Sequence, residues 1–420
     1  MRAIVVLAVL TLLAGVARAD EDHDAAALQL PSSAPQAASN KIWQLFVEGA
    51  AGHSVVRDTV LTEEARATQR ISIDLQVDAT LAPGWRAIFA DRLDVDWRRR
   101  FEQRRDVNTL KEAYLSWQPR NDVIVDLGRI NLFSGVALGY NPTDFFRDGA
   151  LRSQVSMDPT SIRKNRQGSV MLRGQALWEG ASLTALYSPA LSDEPNSSAF
   201  NPDFGSTNRR NRGLLIFSKR LGEDLNPQWL LYMDQGVSPQ IGMNLTKLVN
   251  DSVVAYFEWS GGRSQSLLAQ ALQQSGDKAF RNRVSTGLTY TTRHKLSLTF
   301  EYQYNGTGLG KEEWEALPQV SLPAYVAYRQ FAHSAQEMPT RHSALVFATW
   351  QDVLVSHLDL TAMVRRNGDD RSRLTWAEMR YRWSGDEVAL QWQAIQGDLF
   401  SDYGASPLRR AWEVSYRHFF

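Results

Sequence analysis

The chain has 420 residues, is 43% hydrophobic and 22% charged, and balances 46 basic against 46 acidic residues. That balance shows no nucleic-acid footprint, which would need a basic excess. It has no cysteine, which decides little, since a large exported domain need not use disulfides. A mean hydropathy of −0.34 suits a soluble protein, but also a transmembrane barrel, whose lipid-facing and lumen-facing residues cancel along each strand. The 13 Trp and 13 Tyr are many for this length, and barrels place such rings at both membrane interfaces.

Residues 1–19 read as a secretory signal peptide. Met1 and Arg2 precede AIVVLAVLTLLAGV, and Ala17-Arg18-Ala19 supplies the small-residue cleavage site. A membrane anchor would need a longer apolar run. No cysteine lies near the cleavage site, which excludes a lipoprotein. Losing Arg2 and Arg18 leaves 44 basic against 46 acidic residues, a net charge of −2. Residues 20–40 are acidic and then Ala/Ser/Pro-rich, as expected of a flexible periplasmic leader that offers a docking segment to a partner. Asp20, Asp22, His23 and Asp24 are metal-type ligands without fixed geometry, so a solvated tail is the expectation and no metal or cofactor is assigned.

From residue 41 to 420 one unit repeats: strand, short turn, strand, longer loop. In 70–81, Ile71, Ile73, Leu75, Val77, Ala79 and Leu81 alternate with Arg70, Ser72, Asp74, Gln76, Asp78 and Thr80. Side chains two apart share one face of a strand, so each strand has an apolar and a polar face. This period predicts strands at 41–52, 70–81, 85–98, 108–118, 122–130, 168–178, 182–189, 211–219, 228–235, 239–248, 252–260, 279–292, 295–305, 341–351, 356–366, 373–383, 387–396 and 409–420. The pattern is weakest across 211–248. Short connections (82–84, 119–121, 179–181, 292–294, 384–386) alternate with long ones (53–69, 131–167, 190–210, 261–278, 306–340, 397–408). Outer-membrane barrels show the same asymmetry. The chain ends in RAWEVSYRHFF, with Trp412, Val414, Tyr416, His418 and Phe420 on one face. An aromatic carboxy-terminus on an alternating strand resembles the signal read by the bacterial barrel-assembly machinery. The expected fold class is an all-β, transmembrane, antiparallel up-and-down barrel of about 18 strands in a Gram-negative outer membrane, in contact with its lipid.

A barrel of that size leaves an aqueous channel. Its polar faces carry Arg86, Arg92, Arg98, Arg173, Arg281, Arg283, Arg380 and Arg382, beside Asp74, Asp78, Asp94, Asp96, Glu112, Glu301 and Glu378. Rings of arginine favour anions in a pore, whereas cross-strand pairing with the carboxylates would merely hold the wall. The loop 131–167 is the constriction candidate, carrying Asp144, Arg147, Arg152, Arg163 and Arg166. It either enters the lumen as a plug or eyelet or stands outside. Strict alternation puts Arg129 on the lipid face, and a bulge or the strand end is expected to turn it inward.

The stretch 110–149 contains EAYLSW, a turn, DLGR, a following Gly and NPTDFF. Over about forty residues it resembles a hairpin and loop of alginate-export-type and related porin-like outer-membrane families. The matching residues are Glu112, Tyr114, Gly128, Arg129, Asn141, Pro142 and Asp144. The resemblance implies a monomeric barrel with an electropositive lumen for a large or anionic solute. Here acidic residues dilute the basic excess.

The leading functional expectation is an outer-membrane channel that passes a polar, anionic or polysaccharide solute. A second is a partner-gated barrel in an envelope export system. A third, a lipid-modifying enzyme, needs a nucleophile beside a base. No G-x-S-x-G elbow exists, and His342 and Ser343 are adjacent on a strand and so face opposite ways. No plug domain precedes the barrel, which argues against TonB-dependent transport.

Overall fold

The computed structural model of the chain describes residues 42–57, 63–98, 103–196, 198–222 and 225–420. The expected signal peptide and leader lie outside them. The strands are Trp43–Arg57 (β1), Glu63–Ala82 (β2), Trp85–Arg98 (β3), Gln103–Arg120 (β4), Val123–Ile130 (β5), Ser169–Trp178 (β6), Ala181–Ser188 (β7), Arg212–Lys219 (β8) and Leu225–Asp234 (β9). They continue with Val237–Asn250 (β10), Val253–Ser264 (β11), Ala279–Thr291 (β12), Leu296–Asn305 (β13), His342–Trp350 (β14), Leu358–Asn367 (β15), Arg373–Trp383 (β16), Asp386–Gln396 (β17) and Leu408–Phe419 (β18). Each pairs antiparallel with its sequence neighbours, and β1 also pairs with β18 from Phe46↔Phe419 to Val56↔Leu408. The eighteen-stranded sheet therefore closes on itself, with no edge strand.

The period-two pattern decides the two faces. On β2, Ile71 and Ile73 are 44% and 40% exposed, while Ser72 and Asp74 between them are buried. The same contrast recurs at Leu115, Trp117, Leu172, Leu215, Phe300, Leu390 and Val414, all exposed on the outer wall. A continuous apolar exterior on a closed barrel is a membrane-facing surface. Stacked Trp85 and Trp117, and Trp383 beside Tyr381 and Tyr416, begin a girdle at the short-turn end.

Three expectations change. The expected long loop 53–69 is mostly strand, because β1 and β2 stay paired from Trp43↔Val77 to Arg57↔Glu63. β9 and β10 are joined at the long-loop end by a tight turn at 235–236. The long connection between β13 and β14 contains two helices, Lys311–Val320 and Leu322–Ser334. They pack with the short helix Leu267–Ala271 around Leu309, Trp314, Tyr325 and Tyr328.

The inward faces also differ from a uniformly polar lumen. On β6–β9 they present Met171, Leu186, Leu214, Ile216, Leu230 and Tyr232, all buried. With lipid on one side and this cluster on the other, both faces of β8 and β9 are apolar. That is why alternation is weak across 211–248.

Candidate functional site: the loop across the lumen

The loop 131–168 leaves β5 and turns into the barrel. The segment Asn141-Pro142-Thr143-Asp144-Phe145-Phe146 is its docking tip. Phe146 joins the apolar cluster of β6–β9, and the Phe145 ring stacks on Tyr232 at 4.5 Å. Thr143 Oγ1 donates to Asn244 Oδ1 of β10 (2.7 Å), and Ser260 Oγ of β11 donates to Pro142 O (2.8 Å). Leu138 and Met157 reach a further cluster on β14–β17, formed by Leu345, Met363, Leu374, Trp376 and Ile395.

Two buried wall carboxylates hold the loop backbone. Glu258 accepts from Val136 N (2.5 Å), Ala137 N (2.7 Å) and Asn141 Nδ2 (3.2 Å). Glu301 accepts from Leu138 N (2.7 Å) and Gly139 N (2.9 Å), and Tyr256 Oη donates to it at 2.6 Å. Four consecutive amides that would otherwise be orphaned are thus satisfied by carboxyl oxygens. Gly135 is needed at this contact. Its φ is +79°, and a Cβ there would run into the Glu258 carboxylate.

The loop's arginines and Asp144 are held by contacts within the loop or with neighbouring segments. Arg166 Nη1 binds Asp144 Oδ2 at 2.6 Å. Arg147 Nη2 binds Glu337 Oε1 at 2.5 Å, where Tyr140 Oη also donates (2.7 Å). Burial, the largest influence, pushes the Glu337 carboxyl up, but Arg147 and Arg283 together outweigh it and hold it below its ordinary value of 4.5. Arg163 donates to Ala137 O and Asn141 Oδ1.

Arg129 and Arg152 do not face the lumen in the way expected. The β5–β6 register is unbroken through Arg129↔Val170, so no bulge turns Arg129, and it keeps the face of exposed Leu127. Its guanidinium donates to Gly168 O (3.1 Å) and Pro202 O (2.6 Å), over the Phe204 ring. Arg152 donates to Asn201 O (2.7 Å) and Ser198 O (3.0 Å). The two arginines clamp the loop 189–211 onto the wall beside β5, whose eight residues leave the upper part of β4 paired with β3 alone.

The expected lumen arginines lie in ion pairs. Arg380 contacts Glu378 (2.8 Å) and Glu387 (2.5 Å), and Arg382 contacts Asp359 and Glu387. Glu387 also meets Arg417 (3.2 Å), which reaches Glu48 (2.7 Å). Glu48 then meets Arg70 (2.6 Å), and Arg92 sits among Asp94 (3.0 Å), Asp74 (3.7 Å) and Glu48 (3.8 Å). A ribbon of alternating charge therefore runs across β15–β18 and β1–β3. It continues to β4 through Lys111 Nζ and Asp74 (2.7 Å). Lys111 is the extra residue of a bulge, since Ala90 pairs with Glu112 and Asp91 with Leu110. Nothing in strict alternation would have pointed it inward.

Arg173 pairs with Asp126 (2.8 Å), Arg281 with Asp277 (2.7 Å), and exposed Arg86 with Asp78. Arg283 stands 3.8 Å from Glu337. Glu112 is half-buried beside the bulge, and Tyr114 packs against the Phe146 cluster. The Arg98 side chain lies outside the described residues. Charge pairing across strands is thus the arrangement adopted by these arginines.

Arg365 of β15, absent from the expected set, differs. It makes no ion pair or hydrogen bond among the described residues, and its Nε is buried without a partner. It lines a cavity of about 130 Å³ with Glu337, Ser343, Asn367, Asp402 and Tyr403. Burial pushes the Asp402 carboxyl up, while Arg365 across the cavity acts in the opposite direction.

No family model matches the sequence, and no curated protein matches it. Solved structures do share its fold. Acinetobacter baumannii OccAB1 aligns with a TM-score of 0.53 at 10% identity, over 90% of this chain and 96% of that one. Pseudomonas aeruginosa OccK7 (OpdD) aligns at 0.54 and 9% identity, over 90% and 98%. Pseudomonas aeruginosa OccK2 (OpdF), solved in complex with glucuronate, aligns at 0.51 and 12% identity, over 90% and 98%. At such identities the likeness is one of fold: a closed, porin-like barrel.

Proposed function

We propose that the chain is an outer-membrane channel for a small polar solute, of anionic character. The observation that carries this is the loop 131–168, docked across an eighteen-stranded lumen by Glu258 and Glu301. A barrel this wide would otherwise be an open pore, and an inward loop on rigid anchors converts it to a narrow, selective one. The paired ribbon keeps the wall polar without a large net charge, so Arg365, which makes no ion pair among the described residues, is the group that favours an anion. The glucuronate held by OccK2 is a solute of this class.

Export begins, on this reading, with cleavage after Ala19, and assembly uses the last strand ending at Phe420. The finer likeness to alginate-export-type barrels rests on Glu112, Tyr114, Gly128, Arg129, Asn141, Pro142 and Asp144 alone. A partner docking on residues 20–40 would add gating to the same channel. The lipid-enzyme reading gains no nucleophile–base pair from His342 and Ser343. His342 Nδ1 bonds exposed Tyr302 Oη (2.7 Å), while Ser343 is buried and donates to Arg366 O (3.2 Å).

Liposome swelling tests the proposal. Glucuronate is expected to enter faster than glucose, and Arg365→Gln to remove the difference. A folded barrel that admits neither solute would overturn the proposal.

A further inference from the structure

The outer wall carries a row of arginines that the channel does not use. On the membrane-facing side of β15, Arg366 shares the face of Val364, which is 40% exposed. Its cross-strand partner is Arg373 of β16, and the next residue in the ladder is Gln396 of β17. Arg410 of β18 lies one residue pair along, opposite Ala394. All three arginines are exposed, and none makes an ion pair among the described residues. Arg373 Nε donates to Gln396 Oε1 at 2.7 Å. The acidic side chains of the adjoining turns are Asp369, Asp370 and Asp398. Asp369 is buried and accepts from His342 N (2.8 Å), and Asp370 accepts from Trp314 Nε1 (2.9 Å). Asp398 is exposed, two residues past Gln396.

Directly opposed like charges destabilise a strand pair. An Arg366–Arg373 pair without a carboxylate therefore calls for an external anion. Depth says which anion. Trp392 and Trp412 face each other on this wall, 45% and 49% exposed, and such rings sit at headgroup level. Arg410 stands two residues beyond Trp412 towards the long-loop end, roughly 6–7 Å along the strand. The row thus faces headgroups rather than acyl chains. Long loops mark the outer leaflet, and the guanidinium fork matches phosphate oxygens.

We infer that Arg366, Arg373 and Arg410 form a binding site for the phosphate group of an outer-leaflet lipid. The inference rests on the outer-membrane reading above, and adds to it a specific lipid contact.

The test uses the full chain refolded into phosphatidylcholine vesicles doped with phosphatidic acid. Folding is followed by circular dichroism, and retained lipid by native mass spectrometry. Phosphatidic acid is expected to be retained about tenfold or more in preference to phosphatidylcholine. R366Q/R373Q/R410Q should lose the preference while folding normally. R293Q, at an exposed turn on the opposite rim, should keep it. Equal retention of both lipids by an inserted barrel overturns the site alone. Competition by inorganic phosphate at matching concentration overturns the lipid assignment. A chain that never inserts overturns the membrane reading and the site with it.

Discussion

Arg147 Nη2 lies 2.5 Å from Glu337 Oε1, and this ion pair, with Tyr140 Oη on the same carboxylate and Gln336 Nε2 on Arg147 O, joins the lumen-crossing loop to the helical loop 306–341 above it. Asn305 Nδ2 of β13 reaches the same carboxylate at 3.2 Å. Glu337 is therefore where the crossing loop, the wall and the outer cap meet. Removing one partner of a buried pair leaves an uncompensated charge and costs about 3–5 kcal/mol. Arg147→Ala should lower the urea midpoint and raise channel noise. Arg147→Ala with Glu337→Ala should cost less than Arg147→Ala alone.

The same contact has a pH signature. The folded Glu337 carboxyl titrates below its ordinary value of 4.5, so it binds fewer protons in the folded state than in the unfolded one. The stability it contributes is complete above 4.5 and is lost as pH falls through the lower folded value. Single-channel current should stay quiet from neutral pH to about 4.5, then become noisy on further acidification. Glu337→Gln should be noisy at every pH.

Glu258→Ala and Glu301→Ala together strip the acceptors from four loop amides. The loop should leave its seat, with conductance rising several-fold and size selectivity falling. Gly135→Val should act similarly, because its side chain would occupy the place of the Glu258 carboxylate. Size exclusion by sugars of graded mass reads both.

Phe146→Ala removes the apolar side of the dock. Burial among Met171, Leu186, Leu214 and Tyr232 puts its cost at about 3–5 kcal/mol. Chemical unfolding should show that loss. Conductance should rise less than in the double carboxylate variant, because the polar anchors remain.

Arg129→Ala should leave ion selectivity unchanged. It should instead expose the loop 189–211 to protease, since Pro202 O and Gly168 O lose their donor. A change of selectivity without a change of protease sensitivity would return Arg129 to the pore.

The strands were readable because one face meets lipid and the other does not, and that asymmetry is written residue by residue, as at Ile71, Ser72, Ile73 and Asp74. The pattern carried all eighteen strands, including the apolar pair β8 and β9, with ends shifted by a few residues. It could not carry what alternation does not encode. Lys111 turns inward through a bulge. The helices Lys311–Val320 and Leu322–Ser334 left local signals, Glu313 bonding back to Gly310 N and Ser321 capping Ala324 N, which a period-two reading passes over. NPTDFF was visible as a motif, but its partners Asn244, Glu258 and Tyr232 lie about 90 to 120 residues away in sequence, and only barrel closure brings them together. Arg365 had no mark at all. It stands out because it makes no ion pair among the described residues, and a sequence does not show which of its charges are paired.

The most direct measurement is the reversal potential of the refolded barrel in a planar bilayer under a salt gradient, for the native chain, Arg365→Gln and Arg129→Ala. A steady anion-selective current, weakened by Arg365→Gln and kept by Arg129→Ala, is the expected result. A cation-selective current, or no current from a folded barrel, would contradict a selective anion channel.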